Sequence, residues 1–482
     1  MVATSFILFL LGFVFVGMLA SRGKQNTSSD YLLASRDIHP VFAALAGIAT
    51  NASGFMFIGL IGETYTKGLS SIWIMIGWIV GDYIMWHSGI HQALRKKSEE
   101  TNTETIGGFI SHGLKNKRLV SASIAIITVI FLGTYAAAQL KAGSKALHVI
   151  FGWHDYAGAI IGAIIVTIYC FAGGIRASIW TNVAQSFVMM LSMGIIMTTA
   201  LIACGGFGGL WETLRQIDPS LLSFNPTDST TAFIFFVLGW LAAGMGVVGQ
   251  PHIMVCVMTV RSEKDIAATR TIYFIWYVLF TASAIMVGLC ARALLPMTAG
   301  FDAELALPVI AQKLLPDVLI GFTLAGLFAA TMSTADSQIL SCSAAITQDL
   351  VPKWSRSVKA LKASTLTVSS VVLIIALLGN SVFTMVVFSW SVLAASIGPL
   401  VILRCLGAPL TGPIAMATSM TGLVTVILWR SVLQWSGNVY EVLPGMVASF
   451  VVYEICRRIF QITHDIAEKS ANASQGLSAN RA

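Results

Sequence analysis

Charge is what this chain has least of. Asp, Glu, Lys and Arg make up 11% of its 482 residues, against about 25% in a soluble domain. Another 56% are hydrophobic, and the mean hydropathy is +0.80. A water-soluble globule is excluded; the composition is that of an integral membrane protein. A GxxxxGK[ST] loop is missing, so no motif supports ATP-driven pumping. The seven cysteines (Cys170, Cys204, Cys256, Cys290, Cys342, Cys405 and Cys456) are scattered and odd in number. They show no paired metal spacing and are read as packing residues of apolar helices. His87 and His91 have metal-like spacing but no third ligand, and are expected at the interface. The loops leave no room for a soluble catalytic domain, so no enzyme is expected.

At about 20 apolar residues per crossing, thirteen helices are predicted. They lie near 3–21, 39–65, 71–94, 119–149, 156–173, 177–203, 230–256, 272–296, 317–349, 359–379, 381–404, 411–430 and 439–459. Residues 5–20 imitate a signal peptide, but no positive charge precedes them while Arg22 and Lys24 follow. An uncleaved helix with its N-terminus outside fits better. In that orientation the outer side holds only Lys67, Arg215, Arg292, Lys313 and Arg430, with Lys141 and Lys145 in the outer half of the fourth helix. The remaining Lys and Arg fall inside, so the net charge of +7 reflects topology and not nucleic-acid binding. The expected layout is a first helix with its inner loop (1–38), two five-helix units (39–203 and 230–410) around an outer loop (204–229), two C-terminal helices (411–460) and a polar, disordered inner tail (461–482).

Within 317–349, Thr331, Ser333, Thr334, Asp336, Ser337, Ser341 and Ser343 crowd one membrane-length helix. A carboxylate at that depth costs roughly 2.5–3.5 kcal/mol on insertion scales and marks a functional site. Ser333, Thr334 and Ser337 share a face with the Ala330 carbonyl, an oxygen set suited to a small hard cation. Hydroxyls bonded to their own helix or to a neighbour are the alternative. Two other helices look broken: the second at GIATNASGF (47–55) and the seventh at GMGVVGQPHI (244–253). Each opens a five-helix unit, and an odd number of helices inverts the second unit relative to the first. Broken helices at corresponding places in inverted repeats point to a transporter's substrate site.

These stretches resemble the sodium/solute symporter family, most closely its sodium/proline branch. The likeness rests on DYLLASR (30–36), ATNASGF (49–55), GGIRASIWTNVAQ (173–185), GQPHI (249–253), LFAATMSTADSQILSCSAAITQDL (327–350), IGPLVIL (397–403) and YEVLPG (440–445). It implies an all-α polytopic bundle of two inverted five-helix repeats with flanking helices, working by alternating access. It implies sodium as coupling ion, held by the carbonyls of Ala49, Ala52 and Ala330 and the hydroxyls of Ser333 and Thr334. A second cation site of some members uses a sixth-helix aspartate. Here that position is Asn182, while Asp336 and Ser337 stand on the ninth helix. Asp336 is read as part of a second cation site, as a proton carrier, or as a structural acid bonded to Asn182.

The solute region departs from the branch as well. Seventh-helix aromatics are replaced by Val247 and Ala243, with Trp240 the nearest aromatic, and Tyr135 is retained. Asn51, Ser53, Tyr135, Gln139, Lys141, Trp240, Gln250 and Asp82 are the candidate solute residues, with Lys141 and Asp82 read as possible partners of a carboxylate and an amine. A small amino acid or carboxylate is expected, with the lipid bilayer as environment and no nucleic acid or obligate protein partner. Proton coupling through Asp336 or Asp82, and a transporter-like solute sensor, are the alternatives.

Overall fold

A bilayer offers no water to backbone N–H and C=O groups, so crossing segments must satisfy their own as helices. The computed structural model describes residues 1–479 except 24, 26, 155, 228, 299 and 380, and side chains as far as residue 461. Among the described residues the one strand-like pairing is an isolated bridge between Ile38 and Val260. The principal helices are α1 (Val2–Ala20), α2 (Pro40–Gly54), α3 (Leu60–Lys67), α4 (Ile72–His87), α5 (Lys117–Ile127), α6 (Gly133–Phe151), α7 (Ala157–Ala203), α8 (Thr230–Met245), α9 (Pro251–Thr259), α10 (Ile266–Leu294), α11 (Asp317–Ala344), α12 (Val358–Leu378), α13 (Val382–Leu406), α14 (Gly412–Ile427) and α15 (Val442–Ala479).

Ten continuous helical stretches among the described residues are long and apolar enough to cross a membrane. Two of them, 40–87 and 157–203, each hold two expected crossings. They are interrupted at Gly68 (φ 69°, ψ −145°) and Gly174 (φ 58°, ψ −145°), a conformation closed to most side chains. A side chain at either glycine would also strike a carbonyl oxygen, that of Leu221 or of Tyr31. The tail is helical where disorder is expected: α15 runs on to Ala479. The charges of Lys24, Lys469 and Arg481 lie outside the described side chains.

The DYLLASR segment locks one end of the bundle. Ala34, Ser35 and Arg36 adopt left-handed backbone (φ 50°, 56° and 56°), which turns the chain sharply. Asp30 then meets Arg176 at 2.6 Å, beside the Gly174 break. The Arg36 guanidinium donates to the carbonyls of Ser98 (3.0 Å), Thr103 (2.7 Å) and Met258 (3.1 Å). Burial, and then the nearby Arg95, push Arg36 down to about 10, so it stays charged at neutral pH and the brace holds. At the other end Lys145 pairs with Asp302 and Glu304. Glu304 in turn accepts from the backbone N–H groups of Val382 (3.2 Å) and Phe383 (2.9 Å), capping α13.

The core is formed where α11 packs on α7 and α2, α10 on α2, and α8 on α4. His91 corrects one expectation. It is fully buried, stacked on Trp86 at 4.1 Å, because the next helix folds back under α4.

Candidate functional site

Both breaks have the same cause: backbone groups freed from a helix must find partners elsewhere. In α2 the break falls at Ser53 (φ 40°, ψ 173°). The Phe55 N–H turns to the Ser53 hydroxyl (3.1 Å) and the Gly54 N–H to Gln139 Oε1 on α6 (2.8 Å). Gly54 is needed for proximity: an added Cβ would lie 2.6 Å from Thr331 Cγ2. Gln139 thus caps the break. Its replacement by Ala is expected to cost about 1–3 kcal/mol by stranding a buried donor, read as a lower unfolding midpoint in detergent, with Gln139→Glu losing less. The second break is a tight turn at 246–249 followed by extended Gln250 (φ −98°, ψ 99°), with Pro251 as first residue of α9. Gln250 donates to the Trp390 carbonyl on α13 (3.1 Å).

At the first break the expected sodium oxygens converge. Ser333 Oγ lies 3.0 Å from the Ala49 carbonyl and 3.1 Å from that of Ala330. Thr334 Oγ1 lies 2.9 Å from the Thr50 carbonyl and 3.1 Å from Ala330. Each hydroxyl has one proton, so two protons serve three carbonyls and oxygen lone pairs are left over. An acceptor-rich, uncharged set of this kind fits a monovalent hard cation. Ala52 is fully buried, but none of the described hydrogen bonds between α2 and α11 uses its carbonyl. The Thr50 carbonyl is the one that meets Thr334, because the helix stays regular up to Ser53.

A second polar cluster lies one turn along α11. Asp336 Oδ1 accepts from Ser337 Oγ at 2.8 Å, and Ser337 also meets Thr50 Oγ1 at 3.2 Å. Asn182 Nδ2 lies 3.2–3.4 Å from five oxygens, those of Thr50, Ser178, Ser333, Asp336 and Ser337. Its two protons serve two of these at a time, the hydroxyls donate among themselves and to Asp336 Oδ1, and Asp336 Oδ2 is left without a partner among the described residues. The side chain of Thr50 joins the two clusters. Its place in the α2 break could have signalled that role from sequence.

The candidate solute residues divide. Ser53, Tyr135, Gln139 and Gln250 meet around the two breaks, with Tyr135 Oη 3.5 Å from Ser53 Oγ. Asn51 donates instead to Tyr273 Oη on α10, and Tyr273 donates to Asp82 Oδ2 at 2.8 Å. Asp82 is therefore held by a tyrosine, and no contact with Lys141 occurs among the described residues. Lys141 is half-buried on α6. Trp240 is stacked between Trp78 (5.8 Å) and Tyr440 (4.5 Å). His252, Gln338, Trp390 and Tyr273 are central residues that the sequence reading passed over. Long-range packing brings them in, and their local patterns look like ordinary helix.

A sequence model described as the Sodium:solute symporter family matches residues 31–422. The chain belongs to that family. It is 30% identical over 459 residues to the sodium/proline symporter of Escherichia coli (strain K12), spanning 92% of this chain and 90% of that one. It is likewise 30% identical over 449 residues to the high-affinity proline transporter PutP of Bacillus subtilis (strain 168), at 90% and 93% coverage. Among solved structures, a substrate-bound, outward-open Na+-coupled sialic acid symporter superposes with a TM-score of 0.80 at 17% identity, covering 95% of this chain and 97% of that one. Mhp1, a nucleobase-cation-symport-1 family transporter, gives 0.57 at 13% identity, covering 90% and 95%. These likenesses show the transporter bundle as the fold. The symporter is an integral membrane protein that couples sodium to the movement of a small solute.

Proposed function

We propose that the symporter carries a small zwitterionic amino acid inward together with sodium, by alternating access between two inverted repeats. The observation that carries this is the acceptor-rich set of Ala49, Thr50, Ala330, Ser333 and Thr334 oxygens between the α2 break and α11. Sodium there would tie the break to α11 and order the adjoining Ser53, whose neighbours Tyr135, Gln139 and Gln250 face the solute. Ala52, Asn51, Lys141, Trp240 and Asp82 stay candidates at the rim of these sites. One charge moving through 100 mV supplies about 2.3 kcal/mol, enough with a concentration gradient to drive substantial accumulation. The chain crosses a bacterial-type plasma membrane thirteen times, N-terminus outside and C-terminus inside, in this reading.

The Asp336, Ser337 and Asn182 cluster favours a second reading for that site alone, a further cation or proton, since a carboxylate with one oxygen unpartnered suits either. Uptake into proteoliposomes tests the whole. L-proline, L-alanine, glycine and short carboxylates are offered under a sodium gradient and, separately, a pH gradient. Sodium-driven accumulation of a zwitterion is expected. Accumulation under the pH gradient alone would move coupling to Asp336 or Asp82, and binding without accumulation would make the protein a sensor.

A further inference from the structure

The seventh-helix positions where the proline branch resemblance places aromatics hold Ala243 and Val247, both fully buried. Trp390 of α13, also fully buried, reaches this stretch: its Nε1–H donates to the Ala243 carbonyl at 2.9 Å. The same residue's carbonyl accepts from Gln250, so its backbone and its ring are both tied to the second break. Its indole lies 4.6 Å from Trp78 and 6.5 Å from Tyr135, each edge-on, and Tyr135 stands edge-on to His252 at 5.6 Å.

A plain packing role would leave the polar side chains of the elements that meet here satisfied. Four are not. Gln139 Nε2, Gln250 Oε1, His252 Nδ1 and Gln338 Oε1 are all buried with no hydrogen-bond partner. They come from four elements, α6, the second break, α9 and α11: Gln139 is one turn from Tyr135, His252 stands edge-on to Tyr135 and 3.5 Å from Gln338, and Gln250 bonds the Trp390 carbonyl. Buried polar atoms are rarely left unpaired, and a cluster of them beside aromatic faces is the composition of a ligand site. Asp, Glu, Lys and Arg are absent from the group, so a net-neutral solute fits better than an anion or a cation, either of which would be buried uncompensated. Amide oxygens would take the N–H groups of an ammonium, amide and imidazole N–H groups a carboxylate. An indole face would hold the aliphatic and cationic part between them.

Resting on the zwitterion reading above, we propose that Trp390 is the specificity-determining aromatic wall of the solute site, supplied by α13 in place of side chains on the seventh helix. The geometry gives the test its controls. Trp390→Phe keeps an aromatic face but loses the bond to Ala243; Trp390→Leu loses both. Sodium-driven uptake of L-proline, L-alanine and glycine is measured in proteoliposomes, with the apparent KM for solute and for sodium determined separately.

The expected result is a solute KM raised about tenfold or more in Trp390→Leu and much less in Trp390→Phe, with the sodium KM within about twofold of wild type in both. Equal solute KM values in the two variants would overturn the proposal, because the hydrogen bond or simple packing would then carry the effect. A parallel rise in sodium KM would overturn it too, by placing the damage in the scaffold. If the wild type takes up none of these zwitterions, the proposed solute class fails and this inference with it. Wild-type uptake with indistinguishable variants sinks this inference alone.

Discussion

Replacing Ser333 and Thr334 together by alanine is expected to lower sodium-driven uptake at least about 100-fold. Each hydroxyl touches two carbonyls, and together they span the α2 break and α11. Alanine removes two of the oxygens that would replace sodium's hydration shell. A lost hydrogen bond to a charged group is worth about 1.5–3 kcal/mol, so two losses compound to a factor on the order of 100 or more. The defect should appear mainly in the sodium concentration for half-maximal uptake, with saturating sodium restoring part of the rate. Single variants provide the internal check: Ser333→Thr and Thr334→Ser keep an oxygen and should retain most activity. A double variant with unchanged sodium dependence would remove coupling from this place altogether.

The second large effect is expected at Asp336. Its carboxylate is fully buried, bonded to Ser337 at 2.8 Å and only loosely to Asn182 at 3.4 Å. Asparagine in its place keeps the shape and one acceptor but removes the charge. If the cluster holds a cation, Asp336→Asn should raise the half-saturating sodium concentration about 10- to 100-fold, the scale of losing one charge-assisted ligand. If it carries a proton instead, the variant should lose any pH dependence of coupling while keeping its sodium affinity. Uptake across a grid of pH and sodium concentration separates the two. A variant that tracks wild type over the whole grid would leave Asp336 a structural acid, as its bond to Ser337 alone would allow.

The sequence made the architecture legible because the membrane imposes it. Apolar length marks the crossings, and the two breaks announce themselves as Gly and Pro where helix should run. The same economy explains the proposed sodium oxygens. Hydroxyls at one-turn spacing on α11 need no long-range information to share a face, and the break that meets them is written in ATNASGF. What sequence could not supply was which oxygen at the break is presented. The backbone stays regular as far as Ser53, and that detail turns the Thr50 carbonyl toward Thr334, adding an oxygen to the expected set.

The candidate solute side was legible only in part for a similar reason. Asp82 and Lys141 stand out as charges in apolar helices, yet charge alone does not say where a side chain is spent. Tyr273, from a helix nearly 200 positions along the chain, holds Asp82 by a bond of separation 191. Trp390 and Gln338 sit in stretches whose periodicity reads as plain helix, and only the packing of α13 and α11 on the breaks brings them to the centre. Local pattern reveals residues that break a rule. It is silent on those that follow one and are placed by the fold.

Reciprocal flux reports the coupling itself. In proteoliposomes holding the wild-type protein, radioactive sodium influx is measured with no solute and with L-proline, L-alanine or glycine outside. Coupled symport requires that each partner promote the binding and movement of the other. One of these zwitterions is expected to accelerate sodium entry severalfold, and the acceleration is expected to disappear in the Ser333→Ala, Thr334→Ala double variant. Sodium influx indifferent to every solute, or equally accelerated in the double variant, would contradict coupling through these hydroxyls.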